Sequence, residues 1–98
     1  MVEVIWTAQA YNDLREIHDF IAIDSEKLAD YMSDKIHERT LILRTFPAIG
    51  RVVPEINSLK IRELIEGKYR IIYEIIDEEV ILIQAIRHGS RNFNVEIS

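Results

Sequence analysis

The sequence predicts an α+β fold in which a helical hairpin packs on an antiparallel sheet, in the order β-α-α-β-β-β. Three observations carry that expectation. Two apolar stripes of helical period occupy the first half of the chain. Three β-rich runs joined by short turns follow from Ile61, and the two patterns are segregated rather than alternating.

Val2–Trp6 is a short β-prone opening. Thr7 then reads as a helix N-cap, whose hydroxyl accepts from a free backbone N–H of the first turn. That choice places Trp6 and Tyr11 at the two positions of a hydrophobic staple. Ala10, Leu14, Ile17 and Ile21 recur at spacings of four, three and four, so one stripe of this helix faces a core. Asp24-Ser25 supplies a second cap. Leu28, Met32, Ile36, Leu43 and Phe46 mark a second, longer helix that ends at Pro47 and Gly50, with a weak turn at Arg39-Thr40. Pro47–Lys60 (PAIGRVVPEINSLK) reads as a loop, having two prolines, one glycine and no clean period. Ile61–Glu66 precedes a turn at Gly67, Tyr69–Ile76 a turn at Asp77-Glu78, and Val80–Arg87 precedes Gly89. Their β-branched and aromatic content and short connections predict antiparallel hairpins.

The 98 residues fit one domain spanning 1–98, with enough chain to bury a core. Cysteine is absent, which excludes disulfides, a thiolate nucleophile and a zinc ribbon, and suits a cytoplasmic setting. No apolar run approaches the roughly 20 residues of a membrane helix. The opening MVEVIW shows no secretory pattern, so neither membrane nor export is expected. The net charge of −5 argues against indiscriminate nucleic-acid binding. That charge is uneven. Residues 1–38 hold three bases against nine acids, while residues 39–98 hold nine bases against eight acids and seven of the eight arginines. The asymmetry points to two faces with different partners, or equally to two solvated helices followed by a mixed-charge sheet.

The register of the last hairpin bears on function. A two-residue loop at Asp77-Glu78 sets Ile76 opposite Glu79 and Arg70 opposite Ala85, so that Arg70 and Arg87 project from one face. A three-residue loop reverses the parity and separates them.

No familiar catalytic motif is present. His18, His37 and His88 are dispersed, and no metal or other cofactor is implied. Arg62, Arg70, Arg87 and Arg91 lie on or just beyond strands, with Tyr69 and Tyr73 flanking Arg70 and His88 following Arg87. Guanidinium groups take phosphate or carboxylate bidentately, so this set could bind a phosphodiester, stabilise a pentacovalent anion or hold an acidic peptide. Composition alone favours a plainer arrangement, in which these arginines cover the sheet and pair with Glu63, Glu66 and Glu74.

The order Trp6…Ala10…Asp13-Leu14…Ile17, Phe46-Pro47…Gly50-Arg51-Val52-Val53-Pro54-Glu55, Arg62-Glu63…Gly67-Lys68-Tyr69-Arg70-Ile71-Ile72-Tyr73 and Arg87-His88-Gly89…Arg91 resembles the RelE/ParE superfamily of bacterial toxins. The resemblance covers nearly the whole chain. It implies the toxin of a type II toxin–antitoxin (plasmid stabilisation) system, neutralised by a cognate antitoxin in a hetero-oligomer, and the fold derived above with Val2–Trp6 added as a strand. Members split in function. RelE-like toxins cleave messenger RNA on the ribosome without a metal, and ParE-like toxins inhibit DNA gyrase.

On the RelE-like reading, Arg70 and Arg87 match the strand arginines that stabilise the transition state, His88 stands as proton carrier and Arg62 adds charge. Arg62, Tyr69 and Arg91 are the expected binding residues on either reading. Lys60 alone stands where strongly basic nucleases carry a lysine cluster. The acidic charge and the P-x-x-G-R-x-V-P-E and H-G-x-R segments resemble the ParE-like side more closely. There, Arg87, His88 and Arg91 belong to a surface for antitoxin or target. A homologue that binds antitoxin without acting on a target is the third reading.

Overall fold

A computed structural model describes residues 1–89. The first strand, β1 (Glu3–Trp6), leads into α1 (Ala8–Ala22), and α2 (Glu26–Thr40) returns antiparallel to it. The Thr7 hydroxyl accepts from Ala10 N at 3.1 Å, and the Trp6 and Tyr11 rings stack at 5.4 Å, so cap and staple form as the sequence predicts. Ser25 caps α2 by accepting from Leu28 N at 3.0 Å. The second helix is shorter than expected. It gives way to a 3-10 turn over Leu41–Arg44, and the Thr40 hydroxyl donates to His37 O at 2.7 Å at that boundary. A side chain that bonds its own preceding turn competes with the helical ladder, at the turn where the apolar stripe is weakest.

The long loop carries a two-residue strand, β2 (Arg51–Val52), which corrects the reading of Pro47–Lys60 as loop throughout. Then come β3 (Ile61–Glu66), β4 (Tyr69–Ile75) and β5 (Val80–His88). Gly67 holds the β3–β4 turn at φ +59°, a conformation that glycine adopts without steric cost. The five strands form one sheet in the order β1-β5-β4-β3-β2. Three of its pairings are antiparallel. The fourth, β1 with β5, is parallel, so the sheet is mixed.

Sheet alternation divides the core into two layers. Ile71, Tyr73, Ile81, Ile83 and Ile86 face the helices and pack with Trp6, Ala10, Ile36 and Leu43. Ile72 and Ala85 face the other way and are covered by Val53, with Ile56 and Ile61 beside it. The loop after β2 therefore acts as a partial second layer over the sheet.

The last hairpin departs from the expected register. Ile75 lies opposite Ile81, and Ile76 N donates to Val80 O at 3.0 Å, leaving a three-residue turn over 77–79. The Asp77 carboxylate accepts from Glu79 N at 2.7 Å and Val80 N at 2.9 Å and fixes that turn. This turn alone would have put the two arginines on opposite faces. A bulge restores them: Tyr73 pairs with Ile83 but Ile72 with Ala85, so Gln84 is the extra residue. The outcome is Arg70 directly opposite Arg87, not opposite Ala85. Among the described residues no helix is long and apolar enough to cross a membrane.

Candidate functional site

The candidate residues fall into three places around β3, β4 and β5. Arg70 is the second residue of β4 and is 7% exposed. Its Nε donates to Glu63 Oε1 at 2.5 Å, and its Nη1 and Nη2 reach the two Glu55 oxygens at 2.8 and 2.9 Å. Glu63 is itself buried and bonds Arg51 with its second oxygen. The result is a chain Arg51–Glu63–Arg70–Glu55 that ties β2, β3, β4 and the covering loop together. A buried guanidinium of this kind demands carboxylate partners, because a desolvated charge left without one is costly. The bidentate bond from Arg70 holds the Glu55 carboxyl at about 2, down from its ordinary 4.5, helped by the backbone N–H of Glu55 itself. In return, hydrogen bonding to Glu55 pushes the Arg70 guanidinium higher still.

Arg62 works on the same loop. Its Nε donates to Leu59 O at 3.0 Å and its Nη1 to Ala48 O at 3.3 Å and Gly50 O at 3.0 Å. Beside it, the Tyr73 hydroxyl donates to Pro47 O at 2.8 Å and accepts from Gly50 N at 2.9 Å. Tyr73 is fully buried, and burial raises its phenol above the usual value. Gly50 is obligatory on steric grounds: a Cβ there would stand 2.6 Å from Glu63 O and 2.7 Å from the Tyr73 ring and hydroxyl. The P-x-x-G-R-x-V-P-E, R-E and G-x-Y-R-I-x-Y segments thus form one lattice that fastens residues 47–55 to the sheet.

Arg87 belongs to a different set. Although it stands opposite Arg70 in the ladder, its Nη1 donates to Asp13 Oδ2 of α1 at 2.5 Å. Asp13 is 6% exposed and also receives Ile86 N at 3.0 Å and Gln9 Nε2 at 2.7 Å. The β1–β5 pairing stops at Trp6–Ile83, so the Asp13 carboxylate takes an edge N–H of β5 that has no neighbouring strand. Tyr69 and His88 are cross-strand partners with rings edge to face at 5.7 Å. They line a groove of about 350 Å³ together with Asp13, Ile17, Phe20 and Arg87.

The structure thus brings Tyr69, Arg87 and His88 to one groove; Tyr69 and His88 also line a second pocket with Arg70, whose guanidinium, like that of Arg62, is bonded into the loop lattice. Arg91 lies outside the described residues. Of the three acids expected as arginine partners, Glu63 serves, whereas Glu74 accepts from Gln84 Nε2 at 2.8 Å. Asp13 and Glu55, which complete the arginine pairs, were not singled out as partners from sequence. Asp13 lies 74 residues from Arg87, so only the fold reveals that pairing. Among the described residues, no group of His, Cys, Asp and Glu is arranged to hold a metal ion.

A helical hairpin on a five-stranded sheet, with arginines fixed on its central strands, defines the class: a small α+β domain. The chain belongs to the family described as ParE toxin of type II toxin–antitoxin system, parDE, whose family model matches residues 4–93. Among solved structures, a chain of the "Chromosomal ParDE TA system from P. aeruginosa" superposes with a TM-score of 0.73. It is 22% identical, and the match covers 90% of this chain and 96% of that one. At that identity the likeness shows the fold. No curated protein matches the sequence.

Proposed function

We propose that this type II toxin acts on DNA gyrase in the cytoplasm, arrests growth, and is neutralised by a cognate antitoxin with which it forms a hetero-oligomer, thereby stabilising the replicon that encodes both. The observation that supports this over messenger RNA cleavage is the state of the two strand arginines. Metal-independent cleavage of a phosphodiester needs cationic donors aimed at the developing phosphorane oxygens. Arg70 is buried with its Nε, Nη1 and Nη2 directed to Glu55 and Glu63, and Arg87 is bonded to Asp13. Carboxylates that close would compete with the phosphate for the same donors and repel it. Family membership supplies the toxin class, and the neutralised arginines favour binding over cleavage within it. On this reading Tyr69, His88 and Arg91 contribute contacts to antitoxin or target, and Arg62 and Arg70 keep the binding face in shape.

The test is a supercoiling titration with purified gyrase. The protein inhibits supercoiling, and addition of the antitoxin encoded beside it restores activity. Unimpaired supercoiling at saturating protein refutes the gyrase assignment. Inhibition that the antitoxin leaves untouched refutes neutralisation.

A further inference from the structure

The tip of the helical hairpin is held by little apolar contact. No residue from Asp19 to Leu28 is buried, and Phe20, Ile23 and Leu28 stand 74%, 78% and 52% exposed. After Asp13, α1 contributes no buried residue, and the first in α2 is Ala29. Segments with few buried apolar contacts open locally at low cost. The backbone bonds that close the tip, Asp24 N and Ser25 N to Ile21 O at 3.1 and 3.0 Å, are therefore weakly defended. A hollow of about 370 Å³ lies nearby, lined by Leu14, Arg15 and His18 of α1 and by Ser33 of α2.

One polar contact fastens the two helices there. His18 Nε2 of α1 lies 2.7 Å from Asp30 Oδ1 of α2, the one side-chain hydrogen bond between these helices among the described residues. It joins residues 12 apart and so closes a loop around the whole tip. The imidazole meets acid from both helices. Its Nδ1 stands 3.7 Å from Asp19 Oδ1 of α1, and Glu26 acts on it from the first turn of α2. Arg15 shares the hollow with His18, its guanidinium donating to Asn12 Oδ1 at 3.1 Å. The hydrogen bond to Asp30 raises His18 above its ordinary 6.5; partial desolvation opposes the rise, and the charge of Asp30, the Asp19 carboxylate and Glu26 add to it.

We propose that His18 and Asp30 form a proton-dependent clasp, which holds the hairpin tip closed below neutral pH and lets it open more often above it. Protonated imidazole adds coulombic attraction to the hydrogen bond. Neutral imidazole still donates from Nε2, so deprotonation loosens the clasp without removing it. Because the folded value lies above the unfolded one, the contribution is complete below about pH 6.5 and is lost as pH rises through the raised value. Asp30 is 68% exposed, so water screens the pair. A pair so screened moves global stability little and governs the tip because so little else holds it. The clasp reaches the binding groove through Phe20, which follows His18 by two residues and lines that groove with Tyr69 and His88. It does not depend on which target the toxin attacks.

The test is amide hydrogen exchange, followed by NMR on the full-length protein from about pH 5.5 to about pH 8.5 and corrected for the chemical effect of pH. Protection of the Asp24, Ser25 and Ala29 amides falls about two- to fivefold across that range, while that of Ile71 to Tyr73 in the sheet holds. Asp30→Asn keeps an acceptor and removes the charge, so tip protection becomes independent of pH and the His18 ring titrates nearer its ordinary value. His18→Gln, which takes up no proton, gives the same flat profile. Neither side chain is in the core or the ion-pair lattice, and unchanged thermal midpoints show that both variants are folded. The proposal is overturned if wild-type tip protection is flat with pH, or if either variant keeps the wild-type dependence. Equal losses in the sheet amides would overturn it too, by marking global unfolding, as would tip amides that are unprotected at every pH.

Discussion

Replacing Glu63 by glutamine removes one charge and almost no volume from the centre of the ion-pair lattice. The Glu63 side chain is 0% exposed and its two oxygens serve Arg51 and Arg70, the latter at 2.5 Å. Breaking a buried pair by neutralising one partner costs about 3–5 kcal/mol, since the other charge is left desolvated. Two features reduce that figure here. Arg70 keeps its bidentate bond to Glu55, and the Arg51 side chain is 62% exposed, so water screens its half of the interaction. The expected loss is therefore about 2–3 kcal/mol. In equilibrium urea unfolding this appears as a lower midpoint with an unchanged slope, because the surface exposed on unfolding is the same. For a domain of this size the thermal midpoint falls by roughly 10–20 °C. Glu66→Gln, an acid of the same strand with no place in the lattice, is the control and stays within about 0.5 kcal/mol of wild type. A Glu63→Gln variant as stable as that control would refute the reading of the lattice as a support of the fold.

Tyr73→Phe strands Gly50 N–H and Pro47 O in the interior and costs about 1–3 kcal/mol, measured by the same unfolding experiment; hydrogen exchange at Gly50 should accelerate with it. Gly50→Ala forces a methyl group to 2.6 Å from a backbone carbonyl and lowers stability by about 1–3 kcal/mol. Acid titration separates Glu55 from the rest. Its folded carboxyl is depressed from 4.5 to about 2, so its contribution is complete above about pH 4.5 and is lost as pH falls towards about 2. Glu55→Gln should therefore flatten the acid limb of the stability profile in that window, and an unaltered limb would contradict the Arg70–Glu55 pairing.

The element order apart from the short β2, and the starts of β3, β4 and β5, are legible because local signals agree with the global fold. Thr7, Ser25 and the Trp6–Tyr11 staple announce the helices, and β-branched runs announce β3 to β5. The hairpin register was not legible, for two compensating reasons. The Asp77 carboxylate pulls the turn to three residues, and the bulge at Gln84 then shifts the ladder back by one. The bulge has no local signature. Gln84 bonds Glu74 across the hairpin, and Thr7 Oγ1 lies 3.4 Å from Gln84 O, contacts that exist only once the sheet has assembled.

The arginines illustrate the same limit from the side of chemistry. A strand arginine beside tyrosines suits a phosphate site and an internal ion pair equally well on paper. What decides is the position of carboxylates remote in sequence: Glu55 lies 15 residues from Arg70, and Asp13 lies 74 from Arg87. The plainer sequence reading, arginines paired within the sheet, was right about Glu63 and silent about the other two. The parallel β1–β5 pairing belongs with these non-local features, because its first partners, Glu3 and Val80, stand 77 residues apart in the chain.

The central claim is that the strand arginines hold the fold together and do not cleave RNA. Primer extension on messenger RNA from a reconstituted translation reaction tests it most directly, with wild-type protein in excess over ribosomes. The account expects full-length extension products only, with and without the protein. Truncated products at the ribosomal A site, lost in a folded Arg70→Ala variant, would contradict it.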